Sequence, residues 1–445
     1  MTNFSLRLTA VLLLLTTVGG SGAAYAELPA LQYPRFVSHP LVPASRAEDV
    51  GFDSQRLRKM EDYVQKFVDD GKFAGLTTLV ARHGKIVESK TYGRMSVGGP
   101  PMRADTIFRI YSMTKPVTGV ALMILLEEGK FRLDDPITRF LPEFKDLKVM
   151  TGVDESGDPV LEDAKRPPTI RELMSHTAGY GYGLSADSPA DKVYRANAAL
   201  QAPNMDEFIR RASKLPLVYQ PGTSFQYSIA VDIQGALVER ISGQKFGDFL
   251  QQRIFGPLKM VDTGFHVPGQ KRARLAGLYN GVKAGRLQDA TTVFGWPMVD
   301  PTKPAGLESG GAGLYSTTMD YARFCQMLLN GGELHGARIL SPASVALMAT
   351  NHEPKEALDK GAGGFSGARS FGLDFEVLND PAAAGSLAGK GTFAWGGAAG
   401  TWFWIDPTND VIFVGMVQRL DYWEPDHPNN MARPQVYGAL VRPDL

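Results

Sequence analysis

The 445-residue sequence holds a single cysteine, Cys325, so no disulfide can form within the chain. Cys325 lies in Tyr321-Ala-Arg-Phe-Cys-Gln-Met-Leu-Leu, on an apolar stripe at helical spacing, and is expected to be a small core residue rather than a nucleophile. An excess of either charge is also lacking: 47 Lys+Arg balance 47 Asp+Glu, with no block of like charges. Nothing of that kind suits a phosphate backbone, and nucleic acid is not expected as a partner. No apolar run reaches the ~20 residues that would cross a bilayer, so no stable membrane span is expected. There is no fixed-period repeat, no Gly-x-Ser-x-Gly turn and no His-Glu-x-x-His pair. No metal site and no cofactor are expected.

What is present is an ordinary globular composition, 44% apolar, 21% charged and 10% aromatic, enough for a large core. The beginning differs. Arg7, an apolar run over 8–18 and the triplet Ala24-Tyr25-Ala26 have the order of a secretory signal, with cleavage expected after Ala26. Residues 27–445 would then form the exported protein, periplasmic or secreted.

Asp53 reads as a helix N-cap, followed by Leu57, Met60, Val64 and Phe67 at helical spacing. Two β-rich runs around His83-Gly84 predict a hairpin, and short β-rich segments return at 371–378, 392–395, 401–405 and 411–418. Helices are expected at 117–128, 170–175, 205–212, 229–241 and 318–329. Strands at both ends with helices between predict an α/β fold of the α+β kind. One antiparallel sheet, from about 45–115 and 330–445, would be flanked by helices, with a mainly helical lobe inserted at about 116–329. The cleft between the lobes is the default place for a site.

Two Ser-x-x-Lys tetrads occur, Ser112-Met-Thr-Lys115 and Ser242-Gly-Gln-Lys245. About one is expected by chance in a chain of this length, so only context can separate them. Ser112 follows β-rich Phe108-Arg-Ile-Tyr and opens an apolar helical run, which places Lys115 one turn on, on the same face. A helix start also offers backbone N–H groups to the oxyanion that forms when a serine attacks a carbonyl. Ser242 instead ends a helix at Ile241-Ser-Gly243 and reads as a cap. A serine hydroxyl needs a base. Of the seven histidines His176 has the most distinctive setting, Leu173-Met-Ser-His-Thr-Ala-Gly179, where a structural role at a helix C-terminus is expected.

Phe108-Arg-Ile-Tyr-Ser-Met-Thr-Lys115, Leu173-Met-Ser-His-Thr-Ala-Gly179, Pro221-Gly-Thr-Ser-Phe with Tyr227-Ser228, Gly310-Gly-Ala-Gly-Leu-Tyr-Ser-Thr, and a closing Trp395-Gly-Gly397 appear in order over most of the chain. Together they resemble the serine β-lactamase and penicillin-binding superfamily, most of all the family VIII carboxylesterases, which are similar to class C β-lactamases. The resemblance implies a β-lactamase-like fold, Ser112 as nucleophile, and Lys115 with Tyr227 to move its proton. An ammonium beside a phenol stabilises the phenolate, which can later return the proton to a leaving alkoxide. It also implies an oxyanion hole from the backbone N–H groups of Ser112 and Ala398. Gly396 and Gly397 would let a substrate lie against the strand, and Trp395 would be either a pocket wall or a core aromatic.

Two departures from the lactamase pattern bear on the substrate. Trp395-Gly396-Gly397 stands where those enzymes carry Lys-Thr-Gly, removing a cation that would hold the substrate's carboxylate. Tyr227-Ser228-Ile229 stands in place of Tyr-x-Asn, so Ile229 replaces an amide expected to grip an acylamide. Each loss is on the order of 1–3 kcal/mol of binding. Hydrolysis of a short, uncharged small-molecule ester is therefore expected, with weak β-lactam hydrolysis as a side activity. The rivals are a β-lactamase or D,D-peptidase, and a non-turning-over sensor of cell-wall fragments.

Overall fold

In the computed structural model, which describes residues 36–444 apart from 186, 360, 362 and 364, the Asp53 carboxylate accepts from the N–H groups of Gln55 and Arg56. Helix α1 (Ser54–Asp69) starts there and buries Leu57, Met60, Val64 and Phe67, as the periodicity predicts. The expected signal segment, 1–26, lies outside the described residues.

Strands β1 (Val42–Pro43), β2 (Gly75–Arg82), β3 (Lys85–Gly93), β4 (Arg369–Phe371), β5 (Glu376–Leu378), β6 (Phe393–Gly396), β7 (Trp402–Asp406) and β8 (Val411–Val417) form one sheet in the order β1-β3-β2-β8-β7-β6-β5-β4. Both ends of the chain supply it. Pairing is antiparallel throughout except at one edge, where β1 runs parallel to β3. The region 371–378 is not one strand: it breaks into β4 and β5 around Asp374, whose φ of 66° makes the turn.

Side chains alternate between two cores, the period-2 signature of a sheet covered on both faces. Val411, Phe413 and Val417 of β8, with Trp402 and Trp404 of β7, pack with α1 and with helix α5 (Pro428–Ala439). Ile412, Val414 and Met416, with Phe403 and Ile405, face the larger core shared with helices α2 (Thr114–Glu127), α3 (Ala230–Ser242) and α4 (Thr318–Leu329). Cys325 is fully buried on α4, as its stripe implies. Helix α4 lies directly against β8, β7 and β2, while α2 packs on α3. The middle of the chain is less purely helical than expected, because small hairpins form at Lys148–Val153 with Pro159–Asp163 and at Tyr279–Lys283 with Arg286–Asp289. Among the described residues no helix is long and apolar enough to cross a membrane.

Candidate active site

Ser112 stands at a sharp junction. Phe108–Arg109 pairs with Tyr315–Ser316, and the chain then turns through Tyr111, a non-glycine residue with φ 43°, before α2 begins at Thr114. A left-handed tyrosine is conformationally costly, and such strain concentrates at functional sites. Ser112 sits in the single turn Tyr111–Met113 that leads into α2, so the expected helix-start setting holds, with one tight turn inserted before the helix.

Lys115, fully buried in the first turn of α2, reaches back toward this serine. Its Nζ donates to the Gly311 carbonyl at 2.8 Å and lies 3.3 Å from Ser112 Oγ and 3.4 Å from Tyr182 Oη. It also stands 4.6 Å from the centroid of the Tyr227 ring. The two tyrosine rings stack at 5.4 Å, and Tyr227 Oη is buried with no hydrogen-bond partner among the described residues. Burial opposes a charge on Lys115, but the Tyr182 and Tyr227 oxygens and Asp232 outweigh it and raise the ammonium's pKa. Burial also raises the Tyr182 phenol, against the pull of Lys115.

Tyr182 was not singled out in the sequence, although it follows the block ending at Gly179 by three residues. Asp232 was missed as well. Its Oδ1 accepts from Ser309 Oγ at 2.5 Å and from the Gly311 N–H at 3.1 Å, and so fixes the carbonyl that holds Lys115. Gly311 has no room for a side chain, since a Cβ there would come within 2.6 Å of Asp232 Oδ2.

The loop from Trp395 to Gly400 forms the opposite wall. The Gly397 N–H donates to Thr401 O at 2.7 Å and the Gly400 N–H to Gly397 O at 2.9 Å, which folds Ala398 into a tight turn beside Ser112. Both residues line a cavity of about 860 Å³, together with Tyr111, Tyr182, Tyr227 and Trp395. Gly396 also lines it. Gly397 does too, but a Cβ on Gly397 would fall 2.3 Å from the Ile110 carbonyl, so its smallness lets this turn close onto the serine's turn rather than serving substrate approach alone. Trp395 is half-buried and takes both of its expected roles, lining the cavity while packing at 5.6 Å on Tyr227 and 5.1 Å on Phe371.

Two expectations need correction. Ile229 does not line the cavity that holds Ser112: it is 1% exposed and belongs to the main core, because its side chain packs inward at the start of α3. His176 does not cap its helix with its side chain. It takes φ 55°, places Nδ1 3.1 Å from Ser228 Oγ, and packs its ring 4.8 Å from Tyr227, with burial holding its pKa well below the usual range. Arg369, paired with Glu376, and Arg433 also lie in the cavity wall, on elements other than the Trp395-Gly396-Gly397 strand end. The second tetrad behaves as read: Ser242 Oγ donates to Val238 O at 2.6 Å and accepts from the Gln244 N–H, ending α3 at a left-handed Gly243.

Comparison with known proteins places this geometry among relatives. A family model described as Beta-lactamase matches residues 60–437. The chain is 39% identical over 364 residues to Protein Rv1367c of Mycobacterium tuberculosis, covering 80% of this chain and 88% of that one. It is 33% identical over 351 residues to esterase EstB of Burkholderia gladioli, covering 75% and 83%. Among solved structures it resembles EstCE1, described as a hydrolase with promiscuous acyltransferase activity, with a TM-score of 0.70 and 27% identity over 87% of this chain and 99% of the other.

Proposed function

The chain belongs to the beta-lactamase family and is a hydrolase, and from that premise we propose that it is a carboxylesterase acting through an acyl-Ser112 intermediate. The reading is carried by buried Lys115, which stands against both Ser112 and Tyr227, the two residues that open onto one cavity. Tyr227 acts as the phenolate, stabilised by the Lys115 ammonium: Ser112 Oγ attacks the ester carbonyl as its proton passes to that phenolate oxygen, which becomes the neutral phenol. The tetrahedral oxyanion is held by the backbone N–H groups of Ser112 and Ala398. On collapse the C–O bond to the alcohol breaks, and Tyr227 returns its proton to the leaving alkoxide. Water then attacks the acyl-serine by the same path, giving its proton to Tyr227 and releasing the acid as Ser112 is reprotonated. An alcohol in place of water would give acyl transfer, the side activity named for EstCE1.

Trp395, where β-lactamases carry a lysine, supports an ester over a β-lactam, and the names of EstB and EstCE1 point the same way. Weak β-lactam hydrolysis fits as a side activity. Export is part of this reading and rests on residues 1–26; intact-mass analysis of protein purified from a bacterial periplasm should give a chain starting at Glu27, and a chain retaining those residues would count against it. The catalytic test is a panel of nitrophenyl esters from acetate to laurate. Hydrolysis should vanish in Ser112→Ala and persist in Ser242→Ala; the reverse pattern would overturn the assignment.

A further inference from the structure

Two turns and the chain's lead-in meet at the end of the sheet remote from Ser112. His83, at φ 51°, makes the turn between β2 and β3, and Asp410, at φ 54°, makes the turn between β7 and β8. The His83 N–H donates to Asp410 O at 3.1 Å, which locks the turns together. His39 is brought to the same place by Asn330, whose Nδ2 donates to His39 O at 2.9 Å and whose Oδ1 accepts from the His39 N–H, and by the Val42 N–H, which donates to Gly84 O.

Asp410 Oδ2 lies 2.5 Å from His83 Nδ1 and 3.2 Å from His39 Nε2, and the three residues each bring a ligand atom within 4.8 Å of the other two. The imidazole rings cross edge to face with centroids 5.7 Å apart. The side chains keep 27%, 29% and 21% of their surface, so solvent can supply a further ligand. Two imidazole nitrogens and one carboxylate oxygen suit zinc and similar divalent transition ions, whereas calcium and magnesium want oxygen throughout. Bonds of about 2.0–2.2 Å to a tetrahedral ion would hold such atoms roughly 3.3 Å apart. The His39 contact already has that spacing, and the His83 contact needs to open by less than 1 Å. Arg82 is close by, but its guanidinium donates to the carbonyls of Val50, Asn409, Arg442 and Pro443; its charge weakens cation binding without occupying the carboxylate.

We propose that His39, His83 and Asp410 form a binding site for a zinc-like divalent transition-metal ion, with solvent in the remaining position, which fastens the lead-in to the two turns. The role is structural. Strand β8 separates Asp410 from Gln418, whose side chain bonds the backbone of Arg109 just before Ser112, and its seven residues at about 3.3 Å each span roughly 20 Å. No local sequence motif announces the site because its ligands stand at 39, 83 and 410.

Zinc chloride titrated calorimetrically into the purified, EDTA-treated and desalted protein at pH 7.5 tests this. One equivalent should bind saturably, and the melting temperature should rise with zinc. In His39→Ala and in Asp410→Asn the affinity should fall at least tenfold and the melting shift should disappear. Asparagine tolerates the left-handed turn at 410, and His39→Ala leaves both turns untouched, so far-UV dichroism and hydrolysis of nitrophenyl butyrate should be unchanged in both. Absence of saturable zinc binding, equal binding by both variants, or preference for calcium over zinc would overturn the proposal and leave His39 and His83 as hydrogen-bond partners of Asp410 only. None of these outcomes bears on the esterase reading.

Discussion

Lys115 is aimed by one carbonyl, and that carbonyl is aimed by one carboxylate: Asp232 accepts from the Gly311 N–H, and Gly311 O accepts a hydrogen bond from Lys115 Nζ at 2.8 Å. The Asp232→Asn variant keeps the shape but removes the charge, so kcat should fall about tenfold, roughly 1.4 kcal/mol, with KM little changed. An unchanged kcat on nitrophenyl butyrate would show that Asp232 has no part in positioning Lys115. Ser112→Ala, Lys115→Ala and Tyr227→Phe should each lose about 10³-fold or more in kcat, since members of a coupled unit fail together. Activity near wild type in Tyr227→Phe would shift the proton to Tyr182. At this scale the sequence read well where a motif was local. Ser112 and Lys115 are three residues apart, and Tyr227 sits in a recognisable block. Tyr182, Gly311 and Asp232 were not legible because they reach Lys115 only through contacts spanning 67 to 196 residues or through one another. Ile229 was misjudged because spacing tells which residue follows Tyr227, not which way its side chain turns.

The strands that alternate cleanly were the legible elements. Each of β7 and β8 sends alternate side chains to two different cores, and α1 carries its cap and its stripe in the sequence. The hairpins at 148–163 and 279–289 were hidden because most of their residues face solvent and so show no apolar alternation. Strand β3 contains one polar residue that breaks the sheet's logic. Glu88 is 3% exposed, accepts from Thr78 Oγ1 at 2.6 Å, and leaves Oε2 without a partner among the described residues, so burial pushes its carboxyl up from the usual 4.5 to about 7. An acid with a raised folded-state pKa contributes stability that is fully present below about 4.5 and is lost as pH rises through about 7. Glu88→Gln should therefore be more stable than wild type at pH 8, by up to about 3 kcal/mol, and nearly equal to it at pH 4.5. Urea unfolding at the two pH values measures this; a difference that does not change with pH would mean that Glu88 is not the titrating group.

Across the whole molecule, the site lies where three parts of the chain are pressed together: the turn before α2, the Asp232 and Gly311 region, and the β6–β7 turn whose Gly397 admits the Ile110 carbonyl. The sequence foretold a sheet built from both termini with helices between, because binary patterning reports layers. It could not foretell the edge where β1 runs parallel to β3, since pairing direction leaves no mark on alternation. Nor could it foretell the wall of the cavity, where Arg369, Glu376 and Arg433 come from β4, β5 and α5. The central claim is that this assembly turns over esters in preference to β-lactams because Trp395 stands where a carboxylate-binding lysine would be. The direct measurement is kcat/KM on nitrophenyl butyrate and on a chromogenic cephalosporin with the same enzyme preparation, with Ser112→Ala as the control. A value at least 100-fold higher on the ester, a preference of about 2.7 kcal/mol that disappears with Ser112, is the predicted result. A higher value on the cephalosporin would contradict it.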